Sequence, residues 1–149
     1  MGLPVLAQGR QCGECDACCV HLDVDDEAIA HKRGVACPRL GGDHRCTQYE
    51  VRPQTCRDFR CLWLEGFGSD TDRPDVVGCI FHVAASEDGS GLLYIAANET
   101  RVGALDAGQP AHAAVRAMGW STPVVATRVD GSRSAIAPLH LGAGDKQSV

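Results

Sequence analysis

The sequence predicts an α+β chain: a loop-rich cysteine core with short helices, followed by a small antiparallel sheet and one helix. Three observations lead there. Eight of the nine cysteines lie within the first 61 residues, where large apolar side chains are few and scattered. A half so poor in core residues needs cross-links or bound metal to hold one structure. Beyond residue 74 a single cysteine remains, and apolar runs separated by turn residues suit strands. One stretch in that region, Gln109 to Trp120, has helical periodicity instead. The expected organisation is a cysteine-cluster metal-binding module over 12–65 and a small α+β extension over 75–140 packed on it, together one structural domain.

Residues 1–11 read as a loose arm. Residues 12–22 form a tight knuckle in which Gly13 allows a sharp turn. Asp23 to Lys32 reads as a short helix, with acids at its start and His31-Lys32-Arg33 at its end, matching the helix dipole, and with Gly34 as its stop. Pro38, Gly41, Gly42 and Asp43 make the stretch from Cys37 to Cys46 a loop. Cys46 to Tyr49 suits a short strand. Arg52 to Leu64 opens as a helix, with Pro53 in its first turn. Gly66 to Pro74 is a linker. Val76 to Ala84 and Leu92 to Ala96 read as strands joined through Ser86–Gly91 as a hairpin. The helix at Gln109–Trp120 carries Ala111, Val115 and Met118 on one face. Pro123–Arg128 and Ser134–Leu139 form a second hairpin across Asp130-Gly131. The polar tail from Gly142 suits disorder.

The knuckle Cys12-Gly-Glu-Cys15-Asp-Ala-Cys18-Cys19 carries the chemistry, and Cys37, Cys46, Cys56 and Cys61 follow it. A C-x-x-C turn presents two thiolates to one tetrahedral ion at about 2.3 Å. Here two such pairs overlap, and Cys19 directly follows Cys18. Neighbouring side chains diverge, so the knuckle suits two centres or one polynuclear centre better than one mononuclear ion. Eight thiolates match two four-cysteine zinc sites in number, and two zinc ions are the expected cofactor. The opening C-x-x-C-x-x-C also matches the start of a ferredoxin run, which keeps a [4Fe–4S] cluster, or iron in another form, as the alternative. Geometry adds a constraint. Cys56 and Cys61 are five residues apart, about 500° of helical rotation, so they point roughly 140° apart. An unbroken helix cannot aim both at one ion: either it breaks near Cys61, or the two serve different centres.

The cysteines could instead form disulfides. Against this, the N-terminus lacks a basic segment followed by an apolar run of about 7–15 residues, as a secretory signal requires. Leu6 occupies the position where a myristoylation motif wants Ser or Thr. Nine is also an odd number for a fully paired framework. A cytoplasmic location, where thiols stay reduced, is expected and favours metal. No stretch approaches the roughly 18 apolar residues of a membrane span. Net charge is −5 and no basic cluster exceeds two residues, which excludes a phosphate-backbone partner. Eight thiolates add eight negative charges and two divalent ions return four, so the loaded chain sits near −9. The expectation is no nucleic acid, no membrane, and a protein partner whose identity and stoichiometry the sequence leaves open.

The knuckle, then Cys37-Pro-Arg-Leu40, Cys46-Thr-Gln-Tyr49 and Arg52-Pro-Gln-Thr-Cys-Arg-Asp-Phe-Arg-Cys61, together resemble the bacterial YkgJ family, the CxxCxxCC zinc- or iron-chelating domain. The likeness covers about residues 12–61 and its ordered combination is specific. It implies that Cys12, Cys15, Cys18, Cys19, Cys37, Cys46, Cys56 and Cys61 are metal ligands, and little more about role. Some relatives carry the module beside a protein lysine methyltransferase acting on flagellin. This chain has no room for such a domain and shows no Gly-rich nucleotide loop.

Cys79 lies outside that pattern and reads as a small buried hydrophobe. His21 and His44, each two residues from a cysteine, are alternative zinc donors. Arg52, Arg57 and Arg60 flank Cys56 and Cys61. Of these, Arg57 is the candidate to offset thiolate charge and donate hydrogen bonds to metal-bound sulfur. No Ser/His/Asp order or nucleophile elbow is present, so catalysis is not expected. Three functions remain in rank order: a structural or protein-interaction zinc module, an iron–sulfur electron-transfer or redox-sensing protein, and a metal storage or delivery protein.

Overall fold

The computed structural model describes residue 10 and residues 15–25 and 30–136. The chain is α+β with a small sheet, and it divides into two compact units between Val76 and Val77. Among the described residues no helix is long and apolar enough to cross a membrane.

The first unit is built from short pieces. Helix α1 covers Ala17–His21 and carries Cys18 and Cys19. Strands β1 (Val24–Asp25) and β2 (Ala30–His31) pair antiparallel, Val24 opposite His31. This corrects the helix expected over Asp23–Lys32. The charge pattern that suits a helix dipole equally suits a polar hairpin, and here the Asp23 carboxylate accepts from the backbone N–H of Arg33 at 2.8 Å, closing the ends together. Cys46 forms an isolated bridge to Leu40 rather than opening a strand. A 3-10 turn at Tyr49–Val51 leads through Pro53, the N-cap, into α2 (Gln54–Asp58). That helix is shorter than expected and ends before Cys61, whose own turn begins there. Of the two options that helical geometry left open, the break is the one adopted.

A polar clamp organises the rest of this unit. The Arg10 guanidinium donates to the carbonyls of Trp63 (2.7 Å), Phe67 (3.0 Å) and Gly68 (2.6 Å). It also lies 4.9 Å from the Trp63 ring centroid and pairs with Asp70. The indole N–H of Trp63 donates to Ser69 O at 3.0 Å. Ser69 and Asp72 form a capping box that starts the 3-10 turn Asp70–Asp72. Helix α3 (Pro74–Val77) follows.

The second unit is a four-stranded sheet in the order β3-β4-β5-β6, with one helix. Strands β3 (Cys79–Ala85) and β4 (Leu93–Glu99) form the expected hairpin in register Phe81 to Ala97. Helix α4 (Pro110–Met118) then crosses to β5 (Val124–Thr127), which pairs antiparallel with β6 (Arg133–Ile136). The sheet is mixed, not antiparallel as expected: β4 and β5 run parallel, Ile95 opposite Val124. A strand–helix–strand connection returns the chain in the same direction, so a helix between two neighbouring strands forces a parallel pair. Ala111, Val115 and Met118 are all buried on α4, as their spacing predicts. With Ile80, Val124 and Ile136 they belong to the core of this unit.

Glu99 is the buried polar centre of the second unit, 2 % exposed. Its carboxylate accepts from the backbone N–H of Leu105 (3.0 Å) and of Val129 (3.2 Å), and from Arg128 (3.3 Å). Arg128 also reaches Asp106 at 2.7 Å. A buried carboxylate is tolerable only with such partners. Here they fasten the loop after β4 and the turn after β5 to one strand end.

Candidate metal centre

Local backbone structure gathers four of the predicted ligands. The N–H of Cys37 donates to the carbonyl of Cys19 at 2.7 Å, and Gly34 donates to Val20 at 2.7 Å, so the chain after β2 folds back on α1. From Cys37 a tight loop leads to Cys46, held by Leu40 N to Cys37 O (3.0 Å), Gly41 N to Arg45 O (2.8 Å) and Thr47 N to Arg39 O (2.8 Å). His44 takes a positive φ of 63° in that loop. Such backbone is uncommon for a residue with a side chain and signals a constraint. The constraint is visible: His44 Nδ1 sits 2.7 Å from the Asp16 carboxylate, tying the loop to the residue between Cys15 and Cys18. Cys56 lies on α2, its N–H bonded to Pro53 O at 3.0 Å.

The charges of three other cysteines reach Cys56. Burial pushes the Cys56 thiol up, and the charges of Cys19, Cys37 and Cys46 push it further, while Arg52 opposes them. Cys19 is held below its ordinary value, chiefly by a hydrogen bond from Cys18, against burial and the Asp16 charge. No disulfide joins the described cysteines. Among the described residues no group of three or more His, Cys, Asp or Glu side chains is placed to hold a metal ion. Cys19, Cys37 and Cys46 are near enough to Cys56 for their charges to act on it, and no more than that is shared. In number and softness the four thiols suit zinc or an iron–sulfur cluster.

The other predicted ligands are placed differently. Cys15 hydrogen-bonds to Asp75, whose carboxyl is held below its ordinary value first by the Arg73 guanidinium (2.5 and 2.7 Å). Cys61 is buried in its own turn. Burial raises its thiol, the backbone around Trp63 and Leu64 lowers it, and the Glu65 charge raises it again. Cys12 lies outside the described residues. Cys79 is fully buried in β3, its Sγ 3.9 Å from Ile80 O, far in sequence from the knuckle and in the other unit.

Among the arginines, the guanidinium that acts on Cys56 is Arg52. It also stacks 4.0 Å from the Tyr49 ring centroid and donates to Tyr49 O at 2.8 Å. Arg57 donates to carbonyl oxygens, Arg52 O at 2.9 Å and Glu50 O at 3.4 Å, and so braces the segment that carries Arg52. His21 is pushed down by burial and by Arg33. Sequence reasoning missed two features here. The Asp16–His44 link had no motif to announce it. The buried Nδ1 of His31 has no hydrogen-bond partner, which no pattern around residue 31 foretells. No protein-family model matches this chain, and no curated protein or solved structure matches it either.

Proposed function

We propose that this chain is a metal-binding protein whose centre is Cys19, Cys37, Cys46 and Cys56, with zinc in a structural or protein-interaction role. The observation that carries the proposal is the raised Cys56 thiol, perturbed by those same three cysteines from three separate segments. Thiols crowded this way repel once ionised, and a divalent cation removes that repulsion by taking their protons' place. Metal would draw the four sulfurs into the tetrahedral shell that the chain alone leaves open. A reducing cytoplasm suits the reading, since it keeps the thiols available. The resemblance of the knuckle to the YkgJ family points the same way.

The proposal commits to one ion at these four residues. Cys15 and Cys61 lie in separate surroundings, beside Asp75 and within their own turn, so a second ion would have to recruit them from there. The iron–sulfur reading would draw instead on the C-x-x-C-x-x-C opening, Cys12, Cys15 and Cys18, none of which is among these four thiolates.

The deciding experiment is elemental analysis with an absorption spectrum on protein purified without oxygen, run beside the Cys56→Ser and Cys79→Ser variants. Zinc without a visible band, lost in Cys56→Ser and kept in Cys79→Ser, is the expected outcome. Cys79→Ser should cost only about 1–2 kcal/mol of packing. Iron with acid-labile sulfide would transfer the protein to the redox class, and a metal-free wild type would remove both readings.

A further inference from the structure

The Arg10 side chain is only 10 % exposed, and its guanidinium makes four bonds. Nη1 donates to the carbonyls of Trp63 and Phe67, Nη2 to that of Gly68, and Nε to the Asp70 carboxylate at 3.4 Å. All four acceptors lie on one loop, residues 63–70, and the Trp63 ring adds its face. The loop keeps its shape by bonds of its own. Phe67 N–H donates to Leu62 O (2.9 Å), Gly66 N–H to Trp63 O (3.1 Å), the Trp63 indole to Ser69 O, and Ser69 N–H to the Asp72 carboxylate (2.8 Å). Gly68 takes a positive φ of 75°, and a Cβ there would meet Asp72 Oδ2 at 2.7 Å. The acceptors are thus held together without help from Arg10.

Three carbonyls, a carboxylate and a ring face match one chemical group. A guanidinium is planar and carries five donors, whereas an ammonium has three donors and no plane to stack. All four bonds come from the side chain, so an arginine on another chain can satisfy them equally. We infer that residues 63–70 form a socket for an arginine side chain of a partner protein segment, and that Arg10 fills it in the partner's absence as an autoinhibitory contact. The chain's net charge of −5 and the Asp70 carboxylate, 93 % exposed beside the socket, favour the approach of a basic segment. The site stands whether or not the first unit holds metal.

The test uses the full chain with Trp120→Phe, which leaves Trp63 as the sole indole, and follows its fluorescence as blocked peptides are added. The probes are acetyl-Gly-Arg-Gly-amide and its lysine counterpart. In Arg10→Ala the arginine peptide should give a saturable change at about tenfold lower concentration than the lysine peptide. With Arg10 in place the arginine midpoint should be about tenfold higher, since Arg10 competes from within the same chain. Equal responses to both peptides, or none from a folded Arg10→Ala chain, would overturn the inference. So would an Arg10 chain that stays unchanged at about a hundredfold the Arg10→Ala midpoint, for Arg10 would then be a permanent clamp. If Arg10→Ala loses its circular dichroism, the arginine peptide should restore it and the lysine peptide should not. Failure of that restoration overturns the inference as well.

Discussion

The two units of this chain solve the same problem with different materials. In the first, the buried apolar side chains among the described residues are Ala17, Cys37, Cys61, Trp63 and Pro74, two of them cysteines. Its remaining order comes from turns, a two-residue strand pair and the Arg10 clamp. The second unit buries Ile80, Phe81, Leu105, Val115, Val124 and Ile136 on a sheet and a helix. Apolar burial of this kind stabilises at about 25 cal/mol per Å² and needs no ligand. The difference teaches that cysteine placement in the first unit is an alternative to a core, since small thiol side chains leave little area to bury.

The strongest way to break the comparison is to withhold metal. If the first unit holds zinc as proposed, chelation should remove hydrogen-exchange protection from residues 15–65 and leave residues 79–136 protected, because a structural zinc contributes on the order of 10 kcal/mol. Uniform loss of protection would show that the two units are not independent in this respect, and no loss would show that the first unit holds itself together.

A smaller effect sharpens the other side. Glu99→Ala removes the acceptor for two backbone N–H groups and for Arg128. It should destabilise the second unit by about 2–3 kcal/mol, the low end for a buried pair because the Arg128 side chain is 40 % exposed. Denaturant unfolding measures it, with metal content unchanged.

The smallest effect is acidic. Burial lowers the His82 pKa from its ordinary 6.5. Below that value the unfolded chain takes up a proton that the folded state resists, so His82 contributes stability present above pH 6.5 and lost as pH falls through the window beneath it. Replacing His82 by Gln should flatten that part of the stability profile. An unchanged slope would assign it to other groups.

Much of the second unit was legible in the sequence. The apolar runs Val76–Ala84 and Leu92–Ala96 on either side of the turn Ser86–Gly91 marked the hairpin, and the spacing of Ala111, Val115 and Met118 marked the helix that follows and its buried face. The parallel pairing was equally available, since a helix lies between two neighbouring strands, but the strands were read as two separate hairpins. In the first unit the ligand types were legible and their grouping was not. Nothing local says that the charges of Cys19, Cys37 and Cys46 reach Cys56 while Cys15 turns to Asp75. That depends on long-range backbone bonds such as Cys37 to Cys19. Nor does any local pattern say that it is the Arg52 charge that reaches Cys56. The run from Asp23 to Lys32 misled because charge order alone does not separate a helix from a hairpin closed by Asp23.

The Arg10 clamp has a consequence in polymer terms. Its bond to Trp63 joins residues 53 apart, and that span contains all eight of the N-terminal cysteines. The clamp therefore closes a non-covalent ring around them. Closing a loop of that size costs about 3/2 RT ln n in entropy. Once hydrogen bonds to three carbonyls and a stacked indole have met that cost, the thiols inside the ring search a smaller volume for one another. Their effective concentration rises, so the proposed metal ion would complete a cross-link whose ends are already confined.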